Sequence, residues 1–297
     1  MSGAVAAILA DGRRLHLQHG PIDLIVDVDG DRDIAYRAAR DRFDTVLAEL
    51  VTELPALRSA CPPAGRAFDG AIARRMEAAV RPHAAAGLFV TPMAAVAGAV
   101  AEEVLAAMLA ALAAADRPPA RAYVNNGGDI ALHLAPGQRF DLAVARLQGG
   151  GGHGRLRLAA EDPVRGVATS GRGGRSHSLG IAEAVTVLAG HAAAADAAAT
   201  QIGNAVDLPG HPAIRRVAAR DLDPDSDLGD RPVVTECGAL TAAEADAALA
   251  RGLAAATAMQ AAGLLHSAAL FLQGEARVLA DAGGLLVGAA DRPISDS

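Results

Sequence analysis

The chain has 297 residues, 52 % of them hydrophobic but only 2 % aromatic, and a formal charge of −7. That acidic balance argues against a surface for polyanions, and a chain with no Trp lacks the stacking platforms that single-stranded nucleic acid uses. All 27 basic residues are Arg, which excludes Schiff-base chemistry on Lys and any phosphate loop or kinase site that depends on Lys.

Residues 4–10, 14–19 and 22–28 read as three strands, with a hairpin signal at Asp11-Gly12 and a break at His19-Gly20-Pro21. From Asp31 the hydrophobic period changes to 3.6. Ile34, Ala38, Ala39, Phe43, Val46, Leu47, Leu50 and Leu54 form one stripe of a helix that Pro55 ends. A second helix is predicted over 69–80. Thr91 and Pro92 suit the N-cap and first position of a third, which runs to about Ala115 and is built of small residues up to Glu102 and Glu103. Such a helix permits very close approach of a neighbour, and core packing alone accounts for it too.

Residues 121–125 and 130–135 read as strands around Asn126-Gly127-Gly128-Asp129. Paired Gly can turn backbone N–H groups toward a ligand, or simply close a hairpin. Strands are predicted over 139–146 and 155–159, with a flexible loop at 149–152. Residues 166–169 form a short strand that stops at Ser170-Gly171. The loop that follows carries Arg172, Arg175, Ser176, His177 and Ser178. A β-branched strand over 184–189 then leads into an Ala-rich helix over 192–206.

On that helix Asp196 and Thr200 stand four apart and share one face. Two hard oxygen donors at this spacing suit Mg²⁺, which keeps several waters and takes substrate phosphates. A solvated helix face, or a hydroxyl bonded to its own backbone, needs no metal. Residues 209–232 read as an acidic loop with Asp221, Asp223, Asp225, Asp227 and Asp230, paired with Arg215, Arg216, Arg220 and Arg231. A calcium loop counted from Asp221 would need Gly at Ser226 and Glu at Pro232, so that motif is excluded. A capping box, Thr241 with Glu244, opens a helix to about Ala262. Residues 267–272 and 276–279 form a hairpin around Gln273-Gly274, and 291–297 are expected to fray.

Cys61 and Cys237 are too few for a disulfide framework or a Cys zinc site, and read as structural thiols. The N-terminal apolar run has no basic region before it, so no secretory signal is expected. Charges or Gly-Pro are expected to interrupt every apolar run short of bilayer length, which points to a cytoplasmic protein with no membrane partner. With no repeat and no linker, the chain reads as a single α+β domain over 1–297, mostly antiparallel sheet packed with helices.

Four segments in this order resemble the ApbE-like superfamily, known for FAD:protein FMN transferases. They are Ala95-Val96-Ala97-Gly98-Ala99-Val100-Ala101-Glu102, Val124-Asn125-Asn126-Gly127-Gly128-Asp129-Ile130, Ala168-Thr169-Ser170-Gly171 and Ala195-Asp196-Ala197-Ala198-Ala199-Thr200. The pattern is similar in particular to a branch called uncharacterised protein family 0280, and it extends over nearly the whole chain. The resemblance implies an ApbE-like fold, FAD as substrate or ligand, and Mg²⁺ as cofactor. It implies that Asn125, Asn126, Gly127, Gly128 and Asp129 line a flavin pocket with Thr169, Ser170 and Gly171. It also implies a metal held by Asp196, Thr200 and a backbone carbonyl near Val96. His177 would be the acid–base or polar contact, and Arg172 or Arg175 would offer positive charge to phosphate. The implied chemistry is metal-assisted attack on the FAD pyrophosphate, which passes FMN to a Thr hydroxyl of a flavoprotein acceptor and releases AMP.

This chain departs from the transferase pattern at several positions. Ala97 stands where transferases carry Lys, Glu102 where they carry Asp, and Ser178-Leu179-Gly180 replaces an Asp-Pro turn. Two other readings stay open: a module that binds flavin, pterin or nucleotide without the chemistry, and a scaffold whose acidic loop meets a partner. Whether the chain forms a homo-oligomer also stays open.

Overall fold

The structure, a computed structural model, describes residues 3–145, 152–174, 176–280 and 285–286. Arg175, the loop residues 149–151 and the 291–297 tail lie outside the described residues. The chain opens with β1 (Val5–Ile8), β2 (Leu15–His19) and β3 (Ile22–Asp29). Helices α1 (Arg32–Thr52), α2 (Leu54–Leu57) and α3 (Ala71–Ala85) follow, then a 3₁₀ turn (Pro92–Ala95) and α4 (Val96–Ala114). Next come β4 (Arg121–Asn126), β5 (Asp129–Leu134), β6 (Arg139–Ala145), β7 (Gly152–Ala159), β8 (Gly166–Ser170) and β9 (Ala184–Ala189). After them stand α5 (Ala192–Ala205), β10 (Ile214–Ala218), α6 (Ala219–Leu222) and β11 (Pro232–Cys237). The described chain closes with α7 (Ala242–Ala261), β12 (Ser267–Leu272), β13 (Glu275–Leu279) and β14 (Leu285–Leu286).

Nine strands form one sheet in the order β1-β2-β3-β4-β5-β8-β9-β12-β13, each pair antiparallel. This is the expected α+β class. Helices α1, α4, α5 and α7 lie along one face: α1 against β2 and β3, α4 against β4 and β5, α5 against β8 and β9, α7 against β12 and β13. A smaller sheet, β14-β7-β6, packs Leu156 and Leu158 over apolar residues of the other face, among them Leu132 and Leu188.

Local chemistry explains most of these elements. Asp31 caps α1 by accepting from the Ile34 N–H, and Ala35, Ala39, Phe43 and Val46 bury the inner stripe. The start of α3 is capped from α1: Glu53 accepts from Asp69 and Gly70 N–H, and Glu49 from Ile72 N–H. The capping box at Thr241 and Glu244 forms as expected.

Three expectations are corrected. The helix foreseen from Thr91 is interrupted, because Ala95 leaves helical geometry at φ −128 and separates the 3₁₀ turn from α4. The Thr91 side chain caps nothing; its hydroxyl donates to Asp227 instead. Second, the acidic segment is not all loop, since it contains β10, α6 and the start of β11. Of its expected pairs, Arg220–Asp230 forms, whereas Arg231 lies over the Phe89 ring and Arg216 pairs with Asp207. Third, residues Pro92–Ala114 are long and apolar enough, by length and composition, to cross a bilayer, because Glu102 and Glu103 are too few to interrupt the run. Half of its most apolar 18-residue window is buried, and Val100, Val104, Met108 and Leu112 face the core.

Candidate functional site

The site begins with two helix ends that lack caps of their own. No side chain of the N-cap residue Ala95 serves α4, and none of His191 serves α5. First-turn N–H groups left bare inside a protein are costly, so partners must come from elsewhere. Each helix supplies the other. Asp196 of α5 accepts from the Gly98 N–H of α4 at 3.0 Å, and the Ala97 N–H also bonds to it. In return Glu102 of α4 accepts from the Ala193 N–H of α5 at 2.9 Å. The two backbones can meet because Gly98 has no side chain: a Cβ there would lie 2.3 Å from the Ala192 carbonyl oxygen. Gly166 of β8 presses on the same residue, where a Cβ would come within 2.3 Å of the Ala192 nitrogen.

The other predicted segments join this crossing. Asn126 is buried and donates to the Ala97 carbonyl at 3.1 Å, so the end of β4 is pinned to the first turn of α4. Asn125 accepts from the Gly128 N–H at 2.8 Å and closes the β4–β5 hairpin, in which Gly127 has φ 66 and Gly128 φ 118. The hairpin alternative for this motif is therefore realised, and the turn still meets α4. Asp129 accepts from the Thr169 N–H at 3.2 Å, and the Thr169 and Thr186 hydroxyls bond at 2.9 Å. Thr200 donates to the Ser170 hydroxyl at 3.5 Å. Asp196, Thr200, Asn125 to Asp129, Thr169 and Ser170 thus belong to one connected neighbourhood. Val96 opens α4, directly before the two residues that meet Asp196.

Gly171 continues from Ser170 and packs so tightly on Glu183 that a Cβ would stand 2.5 Å from its carbonyl oxygen. Arg172 is half-buried; its backbone N–H donates to the Ala182 carbonyl, and its buried Nε has no partner among the described residues. His177 is exposed and makes no hydrogen bond or ion pair among the described residues.

Electrostatics separates Asp196 from its counterpart. Asp196 is 8 % exposed, and burial pushes its carboxyl up to about 7, against the pull of the Gly98 and Ala97 N–H groups. No cation pairs with it among the described residues. Glu102 has Arg75 at 3.3 Å. Among the described residues no group of three His, Cys, Asp or Glu could hold a metal. The donors at the crossing are one carboxylate, one hydroxyl and backbone carbonyls. Such a set suits Mg²⁺ that keeps its waters and arrives on phosphate oxygens, rather than a caged zinc or calcium ion. An unbalanced buried carboxylate is what a cation of that kind would neutralise.

Glu102 escaped the sequence reading as a site residue. Neither Ala95 nor His191 is a residue that caps well, but only the crossing shows that each helix end meets an acidic side chain of the other.

The family described as AbpE bacteria matches residues 6–278. A UPF0280 protein of Methanopyrus kandleri is 36 % identical over 174 residues, which cover 57 % of this chain and 61 % of that protein. A UPF0280 protein of Methanococcus vannielii is 40 % identical over 121 residues, covering 39 % of this chain and 45 % of its own. The matches therefore span less than two thirds of these relatives' lengths. Among solved structures, the ApbE protein of Thermotoga maritima superposes with a TM-score of 0.44 at 11 % identity, covering 69 % of this chain and 88 % of that one. The flavinyl transferase ApbE of Pseudomonas stutzeri, in its apo form, gives 0.35 at 14 % identity, covering 67 % and 82 %.

Proposed function

We propose a function from one premise: this chain belongs to the AbpE bacteria family. It handles a flavin nucleotide through phosphate groups set against the α4–α5 crossing, and its activity is Mg²⁺-dependent transfer of FMN from FAD, or cleavage of the FAD pyrophosphate. The observation that carries this reading is Asp196: a buried carboxylate, without a cation, where all four segments meet.

The residues divide the work. Asp196 and Thr200 offer oxygens to the cation, and Gly98 keeps the two helices close enough for both to reach it. Asn126 fixes the first turn of α4, and the Asn125–Asp129 hairpin with Thr169 to Gly171 lines the ligand. The unpartnered Nε–H of Arg172, two residues past Ser170, is a donor for phosphate oxygen. When bound, Mg²⁺ neutralises charge on the phosphates and makes the phosphorus easier to attack. A Thr hydroxyl of a cytoplasmic flavoprotein is the acceptor for transfer, and AMP is the leaving group.

One observation favours a second reading, a module that binds without turnover. His177 is exposed and bonds to none of these groups among the described residues, so it is not placed to take the proton of an attacking hydroxyl. Incubation with FAD, with and without Mg²⁺, followed by chromatography for AMP, decides between them. AMP that appears only with Mg²⁺ and disappears in Asp196→Asn supports the enzyme. FAD binding that survives chelation with no AMP supports the module. No response to FAD, AMP or FMN in any condition refutes both.

A further inference from the structure

A cleft opens on the sheet face away from α4 and α5. Its volume is about 100 Å³, and Arg13, Asp27, Asp29, Arg121, Tyr123 and Phe140 line it. Arg121 and Asn126 stand at opposite ends of β4, about 17 Å apart along the strand, so this cleft is separate from the α4–α5 crossing.

The groups left unspent in this cleft are donors. Asp27 is saturated: it accepts from Arg13 Nε at 2.9 and 3.2 Å, from the Val28 N–H at 2.8 Å, and from the Tyr36 hydroxyl at 3.4 Å. Asp29 accepts from Arg121 Nη2 at 3.0 Å, and Arg121 Nη1 donates to the Arg139 carbonyl at 3.4 Å. Arg13 bonds through its Nε, and among the described residues its terminal N–H groups have no partner. Arg121 Nε is buried and has no partner among the described residues. A buried N–H without an acceptor is costly, and the cleft that Arg121 lines has room for several waters or one group the size of a phosphate. The Phe140 ring lies 5.8 Å from the Arg121 guanidinium carbon and makes an edge contact with Tyr123, which gives the cleft one flat apolar wall.

We propose that this cleft is a binding site for a phosphate-sized oxyanion, held by the guanidinium groups of Arg121 and Arg13 against the Phe140 wall. The anion supplies acceptors for the Arg121 Nε–H and the terminal N–H groups of Arg13, and guanidinium geometry matches a tetrahedral oxyanion or a carboxylate. The cleft is too small for a whole nucleotide, so its ligand is a free anion or the anionic end of a larger molecule.

Composition provides the probe. The chain has no Trp and only two Tyr; Tyr123 lines the cleft, and the Tyr36 hydroxyl donates to the Arg13 carbonyl at 2.7 Å. Tyrosine emission therefore reports on this cleft, through Tyr123, and on its flank, through Tyr36. The full chain is titrated with inorganic phosphate at constant ionic strength. A saturable change is expected, weakened at least about tenfold in Arg121→Gln. Arg13→Gln, on a half-exposed side chain, is the second variant should Arg121→Gln fail to fold, and it is expected to weaken the response in the same direction. Tighter binding of phenyl phosphate than of phosphate marks a phosphoryl group on a flat body; equal binding marks the free ion; a response to acetate alone marks a carboxylate. The response must persist in Asp196→Asn, which separates this site from the flavin reading. A change that never saturates, or one that is the same in both Arg variants as in the wild type, overturns the proposal.

Discussion

The N-termini of α4 and α5 pose the same problem and solve it in the same way, yet they differ in charge. Both lack a capping side chain, and both take a carboxylate from the opposite helix at hydrogen-bond distance. At the α5 end the carboxylate of Glu102 has Arg75 beside it, so hydrogen bonding and charge are both satisfied. At the α4 end the N–H groups are satisfied but the charge of Asp196 is not, and burial penalises it. The difference teaches that capping alone does not account for Asp196. An uncharged cap would serve the backbone better, and under the proposed function what the carboxylate adds is a place for positive charge.

Several substitutions break or sharpen this contrast. The largest effect is expected from Gly98→Val, because a side chain there meets the Ala192 backbone rather than a movable side chain. A loss of about 3 kcal/mol is expected in urea unfolding, with an unchanged m-value. A loss below about 0.5 kcal/mol would mean the helices separate freely.

Next come the two ways of removing the Asp196 charge. Asp196→Ala strands the Gly98 N–H and should cost about 1–2 kcal/mol. Asp196→Asn keeps an acceptor and removes the charge, so at pH 8 it should match or exceed the wild type in thermal unfolding. If Asn is as damaging as Ala, the charge is already balanced in the wild type.

The pH dependence follows from the same group. The folded-state value of Asp196, about 7, lies above its ordinary 3.8, so the folded chain keeps a proton that the unfolded chain has released. Its contribution is full below about 4, declines as pH rises to about 7, and is flat beyond. Buried His83 works in the opposite direction. Burial lowers it from 6.5 to about 4, so its contribution is lost as pH falls through that interval. The difference between wild-type and Asp196→Asn stability curves isolates the first slope, and a flat difference between pH 4 and 7 would contradict it. The smallest effect belongs to the other end. Glu102→Gln keeps an acceptor for Ala193 and loses only the pair with Arg75, at a cost of about 0.5 kcal/mol.

Much of this could be read from the chain. Residue spacing put Asp196 and Thr200 on one helical face, Asn-Gly-Gly-Asp marked a turn, and the strands around it alternate as the sheet requires. What escaped depends on partners distant in sequence. The break at Ala95 has no Gly or interior Pro to announce it. Thr91 fits a cap by type, but its hydroxyl is drawn to Asp227, far along the chain. Strand β10 carries Arg at two of its five positions and sits in an acidic stretch, so its pairing with β11 outweighs a composition that reads as loop. Mutual capping by Asp196 and Glu102 is invisible until two helices are known to cross.

The central claim is that Asp196 is a cation site as well as a cap. Its most direct test is the thermal shift produced by FAD at pH 8, with and without Mg²⁺, in wild type and in Asp196→Asn. A Mg²⁺-dependent rise in Tm in the wild type that vanishes in the folded variant is the predicted result. An equal rise in both proteins, or no dependence on Mg²⁺ in either, would contradict it.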